Sequence, residues 1–186
     1  MRKNFGPKPW TYPQPVFILA SYDENGKANA MNAAWGGISD TYELSLCISA
    51  GHKTTKNILA RKAFTVSMAD AAHMTACDYV GIVSGNDVPD KLKRAGLHTT
   101  HSEFVDAPLI DELPMAVECR LLSYDSESGH LVAEIVNVNA DERVLGPDGK
   151  IDPERLDPIT FDPVNNTYRR LGQIVGNAFK DGAQLK

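Results

Sequence analysis

An Asn-Gly pair at Asn25-Gly26 sits between two apolar stretches, "PVFILASYD" and "ANAMNAAW". No short signal constrains a chain of this kind more. Both residues accept positive φ, which a tight turn between right-twisted strands demands. A β-hairpin is therefore expected, with one strand over residues 15–23 and an antiparallel return from residue 28 to 35. The return is unusual. It ends in Asn32, Ala33, Ala34 and Trp35, followed by Gly36 and Gly37. Small side chains let a ligand approach the backbone closely, and an indole beside them offers a flat face.

Further along, "YELSLCIS" at 42–49 alternates, with Leu44, Leu46 and Ile48 on one face and Ser45, Cys47 and Ser49 on the other. "GHKTTKNILARK" reads as a turn and a helix, capped by Thr54 or Thr55, with Ile58 and Leu59 turned inward. "AFTVSMAD" alternates again. A helix is expected within 73–85. A second is expected in "NDVPDKLKRAGL", with Asn86 or Asp87 as cap and Pro89 near its start. Strands follow at 115–124 and 129–139, joined by the polar "DSESG". Residues 144–157 read as a surface loop, and "PITFD" as a last short strand. Strand follows strand by hairpin rather than by regular crossover, so the expected fold is a mainly antiparallel barrel with helical insertions.

With 186 residues, one domain is expected over 1–186, carrying an N-terminal arm (1–11) and a C-terminal tail (173–186). A net charge of −5 argues against a basic nucleic-acid-binding surface. The longest apolar runs are too short to cross a bilayer, and no apolar stretch of signal-peptide length follows the basic start; a cytoplasmic location is expected. Cys47, Cys77 and Cys119 form no CxxC pair, and buried thiols are expected at Cys47 and Cys119. No metal site is expected. His98 and His101 lie three apart on a strand and so face opposite ways. His73 and Cys77 share a helix spacing but lack further ligands. The dinucleotide fingerprint, the P-loop and the nucleophile elbow are all missing.

"SAGHKTTKNI", Ser49 to Ile58, crosses from strand to helix. Free N–H groups at a helix start attract anions, and the dipole adds to this. Lys53 brings a full charge, His52 a further donor, and Thr54 and Thr55 two hydroxyls. An ordinary capped helix with a solvated lysine has the same letters. Consecutive strands tend to be neighbours, so 28–35 and 42–49 are expected side by side, bringing the flat platform near the anion pocket. That combination suits a mononucleotide with a planar head and a terminal phosphate, such as FMN.

"YPQPVFILASYDENGKANAMNAAWGGIS" followed by "SAGHKTTKNILARKAFTVSM" resembles the flavin reductase-like, FMN-binding split-barrel family, and within it the flavoredoxin-like proteins. The likeness is strongest over 12–70 and extends more loosely to about residue 172. It rests on the Pro-Val strand, the DxxGxxN hairpin, the AAW segment and the TxKNI helix start, taken in order. The resemblance implies a six-stranded antiparallel Greek-key split barrel with flanking short helices, and a homodimer with two FMN sites near the interface. It also implies that Asn32, Ala33, Ala34 and Trp35 hold the ring, and that Ser49, His52, Lys53, Thr54, Thr55 and Asn57 surround the phosphate. Many members place Arg near the phosphate, where this chain has His52 and Lys53; lysine is a point charge without a bidentate fork. The implied activity is that of an FMN-dependent oxidoreductase relaying hydride or electrons through flavin N5, with NAD(P)H or a redox protein as donor and no catalytic side chain required. A non-enzymatic flavin-binding or storage module, and a barrel without cofactor, are the alternatives.

Overall fold

The computed structural model describes residues 1–186. In chain order the strands and helices are β1 (Gln14–Pro15), β2 (Phe17–Tyr22), β3 (Ala28–Ala33), β4 (Gly36–Asp40), β5 (Glu43–Cys47), α1 (Lys53–Arg61), β6 (Ala63–Met68), α2 (Met74–Ile82), α3 (Lys91–Ala95), β7 (Thr99–His101), β8 (Pro108–Ile110), β9 (Met115–Tyr124), β10 (His130–Ala140), α4 (Pro153–Leu156), β11 (Ile159–Asp162) and β12 (Thr167–Arg170). One antiparallel sheet of seven strands, ordered β3-β2-β6-β9-β10-β5-β4, makes the body. Two small sheets, β1-β11-β12 and β7-β8, flank it.

The hairpin forms where the Asn-Gly pair predicts it. Asp23 and Lys27 close the loop through a 2.9 Å backbone bond, and Gly26 adopts φ +77°. The Asp23 carboxylate also accepts the N–H groups of Asn25 and Lys27 at 2.9 and 3.0 Å. The turn is thus pinned by its own first residue.

β2 is buried on both faces, which explains its nearly unbroken apolar run. Phe17 and Leu19 point into the main core with Leu44, Leu46, Ile58, Phe64 and Leu131. Val16, Ile18 and Ala20 point the other way, into a second core shared with Cys77 and Val80 of α2 and with Leu97 and Ile110. That second core presses α2 against the open flank of β3, and so builds one wall of a groove.

Several expectations need correction. The sheet has seven strands rather than six, because β4 follows directly on Trp35 where the sequence suggested a fading strand. Gly36 is required there by packing: a Cβ would meet the Leu46 side chain and stand 2.7 Å from the Ser45 carbonyl oxygen. β3 and β5 are not ladder neighbours; β2, β6, β9 and β10 lie between them in the sheet order. The curled sheet instead joins its two end strands through the short Ala34-Trp35 link, and the Trp35 carbonyl accepts the Cys47 N–H at 2.8 Å. Cys47 is exposed, since the alternation that buries Leu44 and Leu46 turns it outward. Cys119 is buried as expected, and burial pushes its thiol up to about 12.

β12 was not anticipated. α3 begins at Lys91 behind Asp90, not at Asn86 or Asp87. Residues 144–157 include the short helix α4, whose Asp152 cap accepts the Glu154 N–H at 2.9 Å. The arm 1–11 holds no strand or helix, and the tail holds only a 3-10 turn at Asp181–Leu185. No helix is long and apolar enough to cross a membrane.

Candidate functional site

Three adjoining cavities follow β3 from end to end. At its C-terminal end a cavity of about 350 Å³ is lined by Asn32, Ala33, Ala34 and Trp35, with Cys47, His52, Asp78 and Tyr168 around them. A middle cavity of about 240 Å³ lies between Asn29 and Asn32 on one side and His52, Lys53 and Thr54 on the other, roofed by the end of α2 and by Lys91. The first two share Met31, Asn32, His52, Gly81 and Ile82, so they form one groove. A third, of about 300 Å³, opens beyond Lys53 at the hairpin end.

The end near Trp35 is mostly apolar and flat. Trp35 is 57% exposed, so it is no core anchor, and its ring is free to meet a ligand. Gly81 lets α2 pass close to β3; a Cβ there would lie 2.7 Å from Asn32 Cβ. The Asn32 amide donates to the Cys77 carbonyl at 3.3 Å. Tyr168, from the unforeseen β12, donates to Asp78 at 2.7 Å across the rim. Burial first, and then that carboxylate, holds the Tyr168 hydroxyl well above its usual range.

The middle cavity is cationic. His52 takes the cap position of α1 but offers no side-chain bond to the helix. Only from Lys56 onward do the N–H groups of α1 find helical acceptors, so those of Lys53, Thr54 and Thr55 remain free. The expected caps act otherwise. Thr54 Oγ1 accepts from the Asn29 amide at 2.7 Å, and Thr55 Oγ1 donates to the Ser49 carbonyl at 2.8 Å. Lys53 Nζ stands 3.3 Å from the Asp23 carboxylate. Burial alone would raise Asp23; the two turn N–H bonds and Lys53 outweigh it and leave the carboxyl below its ordinary range.

Lys91 is the residue that sequence reasoning missed. It is 3% exposed, and its ammonium donates to the carbonyls of Val80 and Val83, at 2.9 and 2.8 Å, at the end of α2. No carboxylate pairs with it, and burial draws it down to about 8. A buried cation satisfied only by carbonyls keeps a donor and most of its charge for a cavity it lines. Its sequence signal was a lysine at the start of a helix, indistinguishable by letters from the solvated Lys93 nearby.

Seven of the expected ring and phosphate residues therefore line the joined groove: Asn32, Ala33, Ala34, Trp35, His52, Lys53 and Thr54. Ser49, Thr55 and Asn57 line none of the three cavities. Ser49 is exposed, and its carbonyl and hydroxyl serve the turn before α1. Thr55 and Asn57 lie on the buried face of α1, where the Asn57 side-chain nitrogen has no partner.

The site fits a flat ligand with an anionic tail: a small-residue slot beside an indole at one end, three free N–H groups and two lysines at the other. The flavin reductase like domain matches residues 10–161. Flavoredoxin of Desulfovibrio vulgaris (Miyazaki F) superposes with a TM-score of 0.93 at 35% identity, over 98% of this chain and 100% of that one. Flavoredoxin from Methanosarcina acetivorans does so with a TM-score of 0.89 at 26% identity, over the whole of both chains. The fold alone is shared with nitrilotriacetate monooxygenase component B from Bacillus cereus, at 19% identity and a TM-score of 0.77, over 95% of this chain and 100% of that one. An uncharacterized protein of Aeropyrum pernix is 28% identical over 62% of this chain, a match spanning only 44% of that relative's length. The chain belongs to the flavin reductase like domain family, among its flavoredoxin-like, split-barrel members.

Proposed function

We propose that this protein is an FMN-dependent oxidoreductase, of flavin reductase or flavoredoxin type. One observation carries the reading: the slot beside Trp35 and the cationic end at Lys53 and Lys91 are two ends of one groove, joined at Met31, Asn32 and His52. FMN held there would supply the hydride or single-electron chemistry. The chain's own task is placement. Ala33, Ala34 and Gly81 admit the ring close to the backbone, and Trp35 gives it a flat neighbour. The free N–H groups of α1, with Lys53 and Lys91, receive the phosphate. No side chain is required as nucleophile or base.

The reading includes a homodimer. Trp35 before β4, Ile38 on it and Tyr42 in the turn after it are 57, 67 and 72% exposed, and β4 is an edge strand. A second copy seated there would cover the slot and exclude water from it. NAD(P)H or a redox protein is the proposed donor.

The test is the visible spectrum of the purified protein. A flavin absorption that bleaches on reduction, or its appearance after adding FMN, supports the reading. A colourless protein that takes up no FMN overturns it. Turnover of NADPH or NADH with a dye acceptor separates the enzyme from a storage module, which would bind FMN and turn over nothing.

A further inference from the structure

A further cavity, of about 370 Å³, meets the slot at Ala34, Trp35 and Cys47 and shares no residue with the cationic middle cavity. Its far side is made by the chain before β2. Thr11, Pro13 and Gln14 line it, and none of them lines the slot. Thr11 and Pro13 are exposed, so solvent reaches the cavity without crossing the slot. The volume is that of a small-ligand site.

Two groups on its wall stand out. The first is Cys47. β5 turns Ser45 and Cys47 to the same face, and the pairing with β10 sets His130 opposite Cys47; all three line the cavity. The thiol is exposed, and its hydrogen bond is a weak donation to the Ser128 carbonyl at 3.6 Å. The other cysteines differ. Cys77 and Cys119 are buried, and burial pushes both thiols up to about 12, which leaves them inert. The second group is Gln14. The residue is 7% exposed, and its side-chain oxygen has no hydrogen-bond partner. A buried oxygen without a donor costs free energy, and an N–H brought by a ligand would satisfy it.

We propose that Cys47 is a thiolation site: the cavity seats a small peptide-like disulfide, whose amide donates to Gln14, and one half of it is transferred to Cys47. In that step the Cys47 thiol gives its proton to solvent, and its sulfur attacks one sulfur of the disulfide. A new S–S bond forms, the old one breaks, and the second half leaves as a thiolate. Cys47 is oxidised and the leaving half is reduced, so no other oxidant is needed. Cys47 is also a wall of the slot, and the adduct therefore narrows the place assigned above to the flavin ring. That consequence rests on the flavin reading; the modification itself does not.

The experiment incubates the unaltered protein, Cys47→Ser and Gln14→Leu with glutathione disulfide or with hydroxyethyl disulfide, which has no amide. Adducts are followed by intact mass and peptide mapping, and each rate is taken relative to that of N-acetylcysteine. The unaltered protein is expected to gain a single adduct, on Cys47, and Cys47→Ser none. Glutathione disulfide should react about threefold to tenfold faster than hydroxyethyl disulfide, and Gln14→Leu should erase that preference, the effect of one hydrogen bond. Unchanged reactivity of Gln14→Leu toward hydroxyethyl disulfide certifies that the variant is folded around the same thiol. If it does not fold, the preference in the unaltered protein decides. No adduct, adducts spread over all the cysteines, no preference, or a preference that survives Gln14→Leu overturns the site. FMN affinity of the thiolated protein should fall by about tenfold or more and return with dithiothreitol. Unchanged affinity overturns the effect on the slot. If the unmodified protein takes up no FMN, the flavin reading fails, and the mass readout still decides the thiolation.

Discussion

Lys53 Nζ lies 3.3 Å from the carboxylate of Asp23, which ties the start of α1 to the hairpin turn before β3. Arg61, at the other end of the same helix, donates to the Asp23 carbonyl at 3.0 and 2.7 Å. One helix thus holds both the backbone and the side chain of the turn. Its own N-terminus is fixed in return against β3.

Reversing the charge at Lys53 tests the anion site. Lys53→Glu puts a carboxylate beside Asp23 at the open end of α1. FMN affinity should fall by about tenfold or more, and riboflavin affinity much less, because only FMN carries the phosphate. Fluorescence titration of both ligands reads this. An equal loss for both would point to a disturbed fold instead.

Lys91 predicts an unusual pH dependence. Its folded pKa is drawn from 10.5 to about 8 by burial, so between those values the unfolded chain binds the extra proton. Stability therefore rises with pH across that window as the buried ammonium discharges. From pH 8 to 9.5 the apo-protein should gain about 1–2 kcal/mol relative to Lys91→Met, measured by urea unfolding. A parallel pH profile in the two proteins would refute it.

The two adjacent glycines after Trp35 separate sharply. Gly36→Ala pushes a methyl into Leu46 and the Ser45 carbonyl and should cost about 1–3 kcal/mol. Gly37→Ala meets nothing within 4 Å and should lie within about 0.5 kcal/mol of the unaltered protein. Thermal unfolding of the pair is sufficient.

Trp35→Ala should leave stability within about 1 kcal/mol, since the indole is largely in solvent. FMN binding should weaken, and the residual complex should fluoresce more strongly once the quenching indole is gone. Loss of stability without loss of affinity would assign Trp35 to packing.

Much of the sheet was legible because alternation and turn chemistry are local. The Asn25-Gly26 turn, the Leu44/Leu46/Ile48 face, β9 and β10 all follow from periods and punctuation. β4 was not legible: Gly36 and Gly37 lack β propensity, and the reason for Gly36 is a cross-strand contact that no window shows. That residues 32–35 and Lys53 line one groove could be anticipated because small residues and a helix start leave traces in the letters. Lys91, Tyr168 and Asp78 could not, since tertiary packing alone brings α2, α3 and β12 to the groove. Thr54 and Thr55 do not cap α1 as their type and position suggested. Thr54 Oγ1 instead accepts from the distant Asn29, and Thr55 Oγ1 donates to the nearby Ser49 carbonyl.

The outer rim of β4 has its own consequence. It is five residues long and is interrupted by a register shift between Ile38 and Asp40. A straight, long rim would template copy upon copy without limit. Here the kink and the carboxylates of Asp40 and Glu43 end the run almost at once. The exposed margin is too short and too broken to extend as one continuous ladder.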